Sequence, residues 1–515
     1  MCSRYLSSLL LFVPLRQLLL ARSAWTLQGC HRIQGHIYIH THRRKVFRCC
    51  RCARLGFFSV MCNAQGPPLK KRKPQPLSLT ESLPIYLDHN ATTPLCEEAW
   101  QEMCRVHKVW GNPSSTHPYG LAAKYELEEA RKKVQTALNA PSPESIIFTS
   151  GGTESNNLAI MGGVLALRQG QPSRRYVVST NVEHPAVAEV LKAIQDRDLG
   201  ACGSASTIDD AEAASRTPVK TVRVDVNSQT GCLDASTLRE VLKGLCGGPE
   251  SVALVSVMLA NNEIGAVNDI KELCRVTKEL CGETCLFHTD GAQALGKVPV
   301  DVQDTNIDLL SVCGHKFYGP KGVGALYIKP DVVVHNILFG AGHERSIRPG
   351  TENVLLASGM AEALLFACKN IDRFSTRMRD TRDELLRVLT VELEAYDMGL
   401  AVNGAIGFTL PNTLNCALFK RVPNRKTGSS VSYISAQRLI LHVGDEVCMS
   451  AGSACHSTAD EGSQILVSDP LQAVQVNTDR AIGTLRLSTG RTTTIEEVRR
   501  AGRIIARRAA QQFDD

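Results

Sequence analysis

The sequence predicts an α/β fold, a large domain on a mainly parallel sheet followed by a smaller α+β domain. Three observations carry this. Short apolar runs recur at 146–148, 176–179, 252–258, 285–288, 309–312 and 324–328, the continuous pattern of strands buried on both faces. Stretches with helical spacing lie between most of them, which is the βαβ signature of a parallel sheet. Polar motifs follow directly on these strands, where open α/β sheets bind ligands. A chain of 515 residues, 43% hydrophobic and 21% charged, has the composition of an ordinary globular protein with more than one domain.

In chain order, Ile85-Tyr86-Leu87 reads as a short strand closed by Asp88-His89-Asn90. Ala123, Leu127, Ala130, Val134 and Leu138 fall at helical spacing across 121–138. The strand at 146–148 runs into Ser150-Gly151-Gly152-Thr153-Glu154-Ser155, and a helix follows over 156–167. The stretches 199–220 and 421–431 are polar and rich in small residues, and read as exposed loops. One long helical pattern covers 357–396. These elements divide the chain into a leader at 1–80, an N-terminal segment at 81–105 that joins the small domain, a large domain at 106–355 and a small domain at 356–515.

The net charge of +7 hides an asymmetry. Residues 1–80 hold 14 Lys/Arg and no Asp or Glu, so 81–515 hold 44 basic against 51 acidic residues. A mildly acidic body gives no reason to expect nucleic-acid binding. The basic, acid-free leader has the pattern of a mitochondrial transit peptide. Its apolar patch at 6–20 is broken by Pro14 and Arg16 and is too short to span a membrane. The 19 cysteines are scattered and odd in number, which fits reduced thiols and argues against the rival reading of a secretory signal. Cys49-Cys50-Arg51-Cys52 has no second pair at zinc-site spacing, so no metal site is expected. If Met61 is the working start, the protein is cytoplasmic, and Lys70-Lys71-Arg72-Lys73 is then a solvated basic run near the terminus.

The chemistry concentrates at the strand ends. Lys316 lies in Cys313-Gly314-His315-Lys316-Phe317-Tyr318-Gly319, and Asp290 stands 26 residues upstream. A lysine amine that can form an imine, with a carboxylate for a pyridinium nitrogen, is the minimal equipment for pyridoxal phosphate (PLP). Asp290 reads equally well as a helix N-cap. Gly151-Gly152-Thr153 at a strand-to-helix turn suits a phosphate, or is a plain tight turn. His184, after the run at 176–179, could stack on a planar ring and shuttle protons, although a lone histidine is more often structural. Asn262 offers an amide in an Asn-rich turn. Cys455, flanked by small residues and a polar loop over 456–467, reads as an accessible nucleophile with His456 beside it. Arg486 is out of place as core on a short strand and suits a carboxylate clamp, or a solvated edge.

Taken in order, Tyr86-Leu87-Asp88-His89-Asn90-Ala91-Thr92-Thr93-Pro94, Gly111-Asn112-Pro113-Ser114-Ser115, Phe148-Thr149-Ser150-Gly151-Gly152-Thr153-Glu154-Ser155-Asn156-Asn157, Val182-Glu183-His184-Pro185, the Lys316 run, Arg348-Pro349-Gly350-Thr351-Glu352-Asn353 and Leu410-Pro411-Asn412-Thr413 resemble the selenocysteine lyase and cysteine desulfurase family over roughly 82–510. These are class-V aminotransferase-like PLP enzymes of fold type I, the aspartate-aminotransferase fold. The resemblance implies that Lys316 carries PLP and that Asp290 pairs with the ring nitrogen. It implies that Gln293 bonds the ring oxygen and His184 stacks on the ring. Gly152, Thr153 and His315 would hold the phosphate, with Thr351 supplied by the partner of a homodimer. Asn262 would bond cofactor or substrate, Arg486 the substrate carboxylate, and Cys455 would be the catalytic thiol. Cys313 departs from the serine common in desulfurases.

The implied reaction is selenocysteine lyase, releasing L-alanine and selenium from L-selenocysteine. This rests on Ala454-Cys455-His456-Ser457, on Leu485-Arg486-Leu487-Ser488 and on the long loop after Cys455. The alternative is a cysteine desulfurase that passes a persulfide to an acceptor protein, which Gly452-Ser453-Ala454-Cys455 and the leader favour. More distant readings are a non-catalytic partner protein of the same fold, a PLP aminotransferase, and a nucleic-acid binder acting through the basic leader.

Overall fold

The computed structural model describes residues 83–196, 218–405, 407, 409–424, 428–451 and 467–514. The leader, Cys49–Cys52, Met61 and Cys455 lie outside the described residues.

Seven strands form the large sheet in the order β2-β8-β7-β6-β5-β3-β4. They are β2 Ile146–Thr149, β3 Tyr176–Thr180, β4 Lys220–Val224, β5 Val252–Ser256, β6 Leu286–Asp290, β7 Leu309–Cys313 and β8 Gly324–Ile328. Strands β4, β3, β5, β6 and β7 pair in parallel, and β8 runs antiparallel between β7 and β2. Alternate side chains enter two separate cores. Phe148, Val255, Phe287, Leu310 and Val312 pack on one face. Ile147, Leu254, Leu286, Leu309 and Leu326 pack on the other, beneath Ile160, Val187, Leu191 and Ile194. Burial on both faces is why these strands are apolar throughout.

The smaller sheet is antiparallel. It has the order β11-β10-β14-β13, with β9 also paired to β10, where β9 is Met398–Val402, β10 Thr413–Asn424, β11 Gly428–Tyr433, β13 Ser450–Ala451 and β14 Thr484–Ser488. The helices Ile371–Glu394 and Ile495–Ala510 cover it through Leu385, Leu389, Leu393, Val498, Ala501 and Ile505. A short parallel pair joins β1 (Ile85–Tyr86) to β12 (Val447–Cys448).

Four sequence expectations change. The helical pattern over 357–396 is two helices, Val354–Lys369 and Ile371–Glu394, bent by 78°. Asn370 breaks the ladder with φ −114° and ψ 19°. The first of these helices packs in the core of the large sheet through Met360, Ala361 and Leu364, so a boundary at 355 cuts it from its own core. The stretch 421–431 is largely a β-ribbon, with Arg421 opposite Val431 and Pro423 opposite Ser429. Arg421, Val422, Pro423 and Val431 of this ribbon are exposed, so the stretch is a surface strand pair where a loop was expected. The described end of the 199–220 segment leads into β4, an edge strand that the apolar pattern missed because Lys220 and Arg223 are exposed and Thr221 is only half-buried. Among the described residues no single helix is long and apolar enough to cross a membrane, and no cluster of three or more His, Cys, Asp or Glu could hold a metal ion.

Candidate active site

The carboxyl ends of β2, β5, β6 and β7 and the loop after β3 converge on one cavity of about 670 Å³. It collects Gly152, Thr153, His184, Asn262, Asp290, Gln293, His315, Lys316 and Arg486 from turns spread across more than 300 residues. Thr351 is exposed and does not line it.

Lys316 ends the tight turn that leaves β7. Its Nζ donates to the carbonyls of Asn90 and Ala91, both at 2.8 Å. Burial, with Arg486 nearby, holds its amine below the ordinary lysine range against weaker pulls from Cys313 and Asp290. Asp290 is the last residue of β6 and is 6% exposed. Its Oδ2 accepts from Asn156 Nδ2 at 2.7 Å, and its Oδ1 accepts from the Ala292 N–H at 2.9 Å. The second bond closes a turn and does not cap a helix, because 291–300 form turns with no helix, which corrects the N-cap expectation; the first presents the carboxylate at the cavity wall.

The turn after β2 is shaped for an anion. Gly151 has φ +152°, which other residues rarely adopt. A Cβ on Gly152 would lie 3.1 Å from Cys313 Cβ. Gly152 opens the helix Gly152–Asn157, and Gly152 and Thr153 of its first turn line the cavity. Glu154 braces it, its Oε2 accepting from the Ser150 N–H at 2.6 Å and its Oε1 from Arg348 Nε at 2.8 Å. Arg348 belongs to a loop in which Glu344, Arg345 and Ser346 all have positive φ. Glu344, buried, holds that loop to Arg131 Nη2 at 2.7 Å and to the Phe148 N–H at 2.8 Å. Cys313 is buried beside the turn, and burial raises its thiol pKa. His315 contacts Thr92 Oγ1 through Nδ1 at 3.0 Å. Burial, with Lys316 and Lys321, pushes its imidazole down to about 4, so it is neutral near neutral pH.

Arg486, on β14, closes the opposite end. Its Nη2 pairs with Asp88 Oδ1 at 2.8 Å and donates to Ser450 Oγ at 3.2 Å, and its Nη1 donates to the Asn262 carbonyl at 3.2 Å. Glu263, beside it, accepts from Ser468 Oγ at 2.6 Å. Burial raises its carboxyl to about 7. His184 is exposed to the cavity, and its Nδ1 accepts from the Ala186 N–H at 3.1 Å, which leaves the proton on Nε2. Behind it, Glu183 Oε1 accepts from Thr180 Oγ1 at 2.7 Å and from the Met258 N–H at 2.9 Å, while Oε2 is buried with no partner among the described residues. Burial pushes this carboxyl up to about 8.

Sequence reasoning passed over Asn90, Asn156, Glu183, Glu263 and Lys297. Asn90 and Asn156 stood inside motifs already quoted but bore no chemistry of their own. Lys297 gave no signal, because Asn90, which ties it and its neighbour Gln293 into one network, lies 207 residues away and meets it only in the fold.

The residues present fit PLP. A glycine turn with φ +152° at Gly151 and Cys313 packed against Gly152 suits a phosphate, and a buried carboxylate, a lysine of reduced basicity and an arginine line the same cavity. A parallel sheet with these groups at its carboxyl ends defines a fold type I PLP enzyme. Residues 85–501 match the family model for aminotransferase class-V, and the chain belongs to that family, whose members depend on PLP. It is 35% identical over 416 residues to the cysteine desulfurase IscS of Dictyoglomus turgidum, covering 80% of this chain and 91% of the relative. It is 34% identical over 422 residues to a probable mitochondrial cysteine desulfurase of Dictyostelium discoideum, covering 81% of each. Among solved structures it superposes on a NifS-like protein with a TM-score of 0.66 at 28% identity, covering 82% of this chain and 99% of that one.

Proposed function

We propose that this enzyme cleaves the bond between Cβ and the chalcogen of an L-cysteine-type amino acid and releases L-alanine. The substrate reading the relatives favour is L-cysteine, since those at 33–35% identity are named cysteine desulfurases. A second reading, L-selenocysteine, is favoured by Ala454-Cys455-His456-Ser457 and Leu485-Arg486-Leu487-Ser488.

In this proposal Lys316 carries the cofactor, and Asp290 pairs with the ring nitrogen. Gln293 donates to the ring oxygen, and His184 stacks on the ring. Gly152, Thr153 and His315 hold the phosphate, with Thr351 supplied by the second subunit of a homodimer. When bound, PLP supplies an electron sink for the pair left by α-proton loss. Lys316, with its amine pKa held low, is suited to take that proton at Nζ. Arg486, oriented by Asp88, clamps the substrate carboxylate, and Asn262 lies beside it. The Cys455 thiolate attacks the substrate sulfur. An S–S bond forms as the Cβ–S bond breaks, the carbon fragment is protonated to alanine, and Cys455 is left as a persulfide for an acceptor protein. With selenium the same attack leaves an S–Se bond on Cys455, and selenium departs as Se(0) when that bond breaks and its electron pair returns to the Cys455 thiolate. The basic leader supports a mitochondrial destination, and translation from Met61 a cytoplasmic one.

The observation that carries the proposal is the convergence of Lys316, Asp290 and Arg486 on one cavity in this family. The test is alanine release from L-cysteine and from L-selenocysteine, with Cys455→Ala alongside. Turnover of cysteine that is lost with Cys455 supports the desulfurase. Strong preference for selenocysteine supports the second reading. No alanine from either substrate overturns both.

A further inference from the structure

Lys297 is 4% exposed, behind Gln293 and Asn90 of the cavity lining, and among the described residues no carboxylate pairs with it. A buried amine without a counter-ion is costly unless its donors are used and the group is neutral. The charges that act on it are the cations Lys316 and Arg486, with the buried imidazole of His89 also near. Burial and these two cations hold the Lys297 amine well below the ordinary lysine range.

Its donors go to two cavity residues. Lys297 Nζ donates to Gln293 Oε1 at 2.5 Å and to Asn90 Oδ1 at 3.3 Å. Gln293 Nε2 in turn donates to the Asn90 carbonyl at 2.9 Å. That carbonyl also receives Lys316 Nζ. Asn90 is tied further to Asn412 Nδ2 at 3.0 Å and to Thr413 Oγ1 at 2.8 Å. A backbone carbonyl only accepts, so the Gln293 atom facing it is the nitrogen. Lys297 satisfies the other end of the same amide. One N–H of Gln293 is thereby used on Asn90, and its second is left to serve the cavity.

We infer that Lys297 is a positioning residue: it locks Gln293 and the Asn90 loop into one brace, fixing the donor offered to the cofactor ring oxygen and the carbonyl that receives Lys316. This rests on the PLP reading above. A donor to the ring oxygen spreads its negative charge and eases loss of the proton reported by the visible absorbance of the loaded enzyme. Loosening that donor moves the midpoint to higher pH.

The test titrates the visible band of PLP-loaded wild type, Lys297→Met, Gln293→Met and the double variant. The expected result is an upward shift of about one pH unit in each single variant, the size of one hydrogen bond. The double variant shifts no further, because both act through one brace. A role in folding alone lowers the melting temperature of Lys297→Met and leaves its midpoint at the wild-type value, which overturns the inference. If Lys297→Met does not fold, Lys297→Gln replaces it. Its amide is one bond shorter and cannot reach both partners, so a smaller upward shift supports the brace and an unmoved midpoint overturns it. A wild-type protein that takes up no PLP overturns the functional reading, and this inference with it.

Discussion

Lys316 Nζ is held by the Asn90 carbonyl at 2.8 Å, a contact between residues 226 positions apart. A mobile surface lysine would be solvated and fully basic. This one is largely removed from water, and its pKa is lowered as a result. Lys316→Ala is expected to abolish the visible band on PLP addition and to cut alanine release at least about 100-fold. Absorbance and turnover on one preparation check both.

Arg486 is aimed by Asp88 and Ser450. Lysine at this position keeps the charge but loses the planar fork. Arg486→Lys is expected to raise KM roughly 10- to 100-fold, with a smaller change in kcat, because the proposed clamp would bind ground state and transition state alike. Steady-state kinetics on the preferred substrate separates the two.

Cys313 sits against Gly152, at the end of the cavity proposed for the phosphate, where a hydroxyl would be a better donor than a thiol. Cys313→Ser is expected to tighten PLP binding by roughly 5-fold, the size of one modest hydrogen bond. Fluorescence titration of the cofactor-free protein measures it.

Glu183 makes stability depend on pH. Its carboxyl moves from 4.5 to about 8 in the fold. Below 4.5 both folded and unfolded chains hold the proton. Between 4.5 and about 8 the unfolded chain releases it and the folded chain does not, so stability falls as pH rises through that window. Glu183→Gln does not titrate. Its stability relative to wild type is expected to grow across the window, reaching on the order of 2 kcal/mol. Urea unfolding at several pH values reads the difference.

Glu344 pairs with Arg131 in the interior and also accepts the Phe148 N–H. Glu344→Ala leaves a buried guanidinium without its main partner and is expected to cost about 3 kcal/mol. Denaturant melts of variant and wild type check it.

The legible part of the fold was the part governed by local periodicity. The strands at 146, 176, 252, 286, 309 and 324 are buried on both faces, so they show as apolar runs, and their shortness marks them as strands and not buried helices. The motif residues Gly151, Asp290 and Lys316 were legible because they stand at strand ends. β4 was hidden because an edge strand shows half its side chains to water. The bend at Asn370 was hidden because apolar spacing continues past it on the next helix. Lys297, Asn90 and Asn156 were hidden because their meaning lies in partners 4, 203 and 134 residues away, and only the fold supplies the last two.

The pairing of β1 with β12 has a consequence for synthesis. The strand that leads to Asn90 is made early. It is held by Val447 and Cys448, and Asn90 by Ser488 Oγ, 398 positions later. Such distant pairing is slow to close and waits on the ribosome. The large sheet can form while the chain is still emerging, but its reactive lysine then has no roof. The cavity is completed last, and a product truncated ahead of β14 carries Lys316 without the chamber that makes it chemically useful.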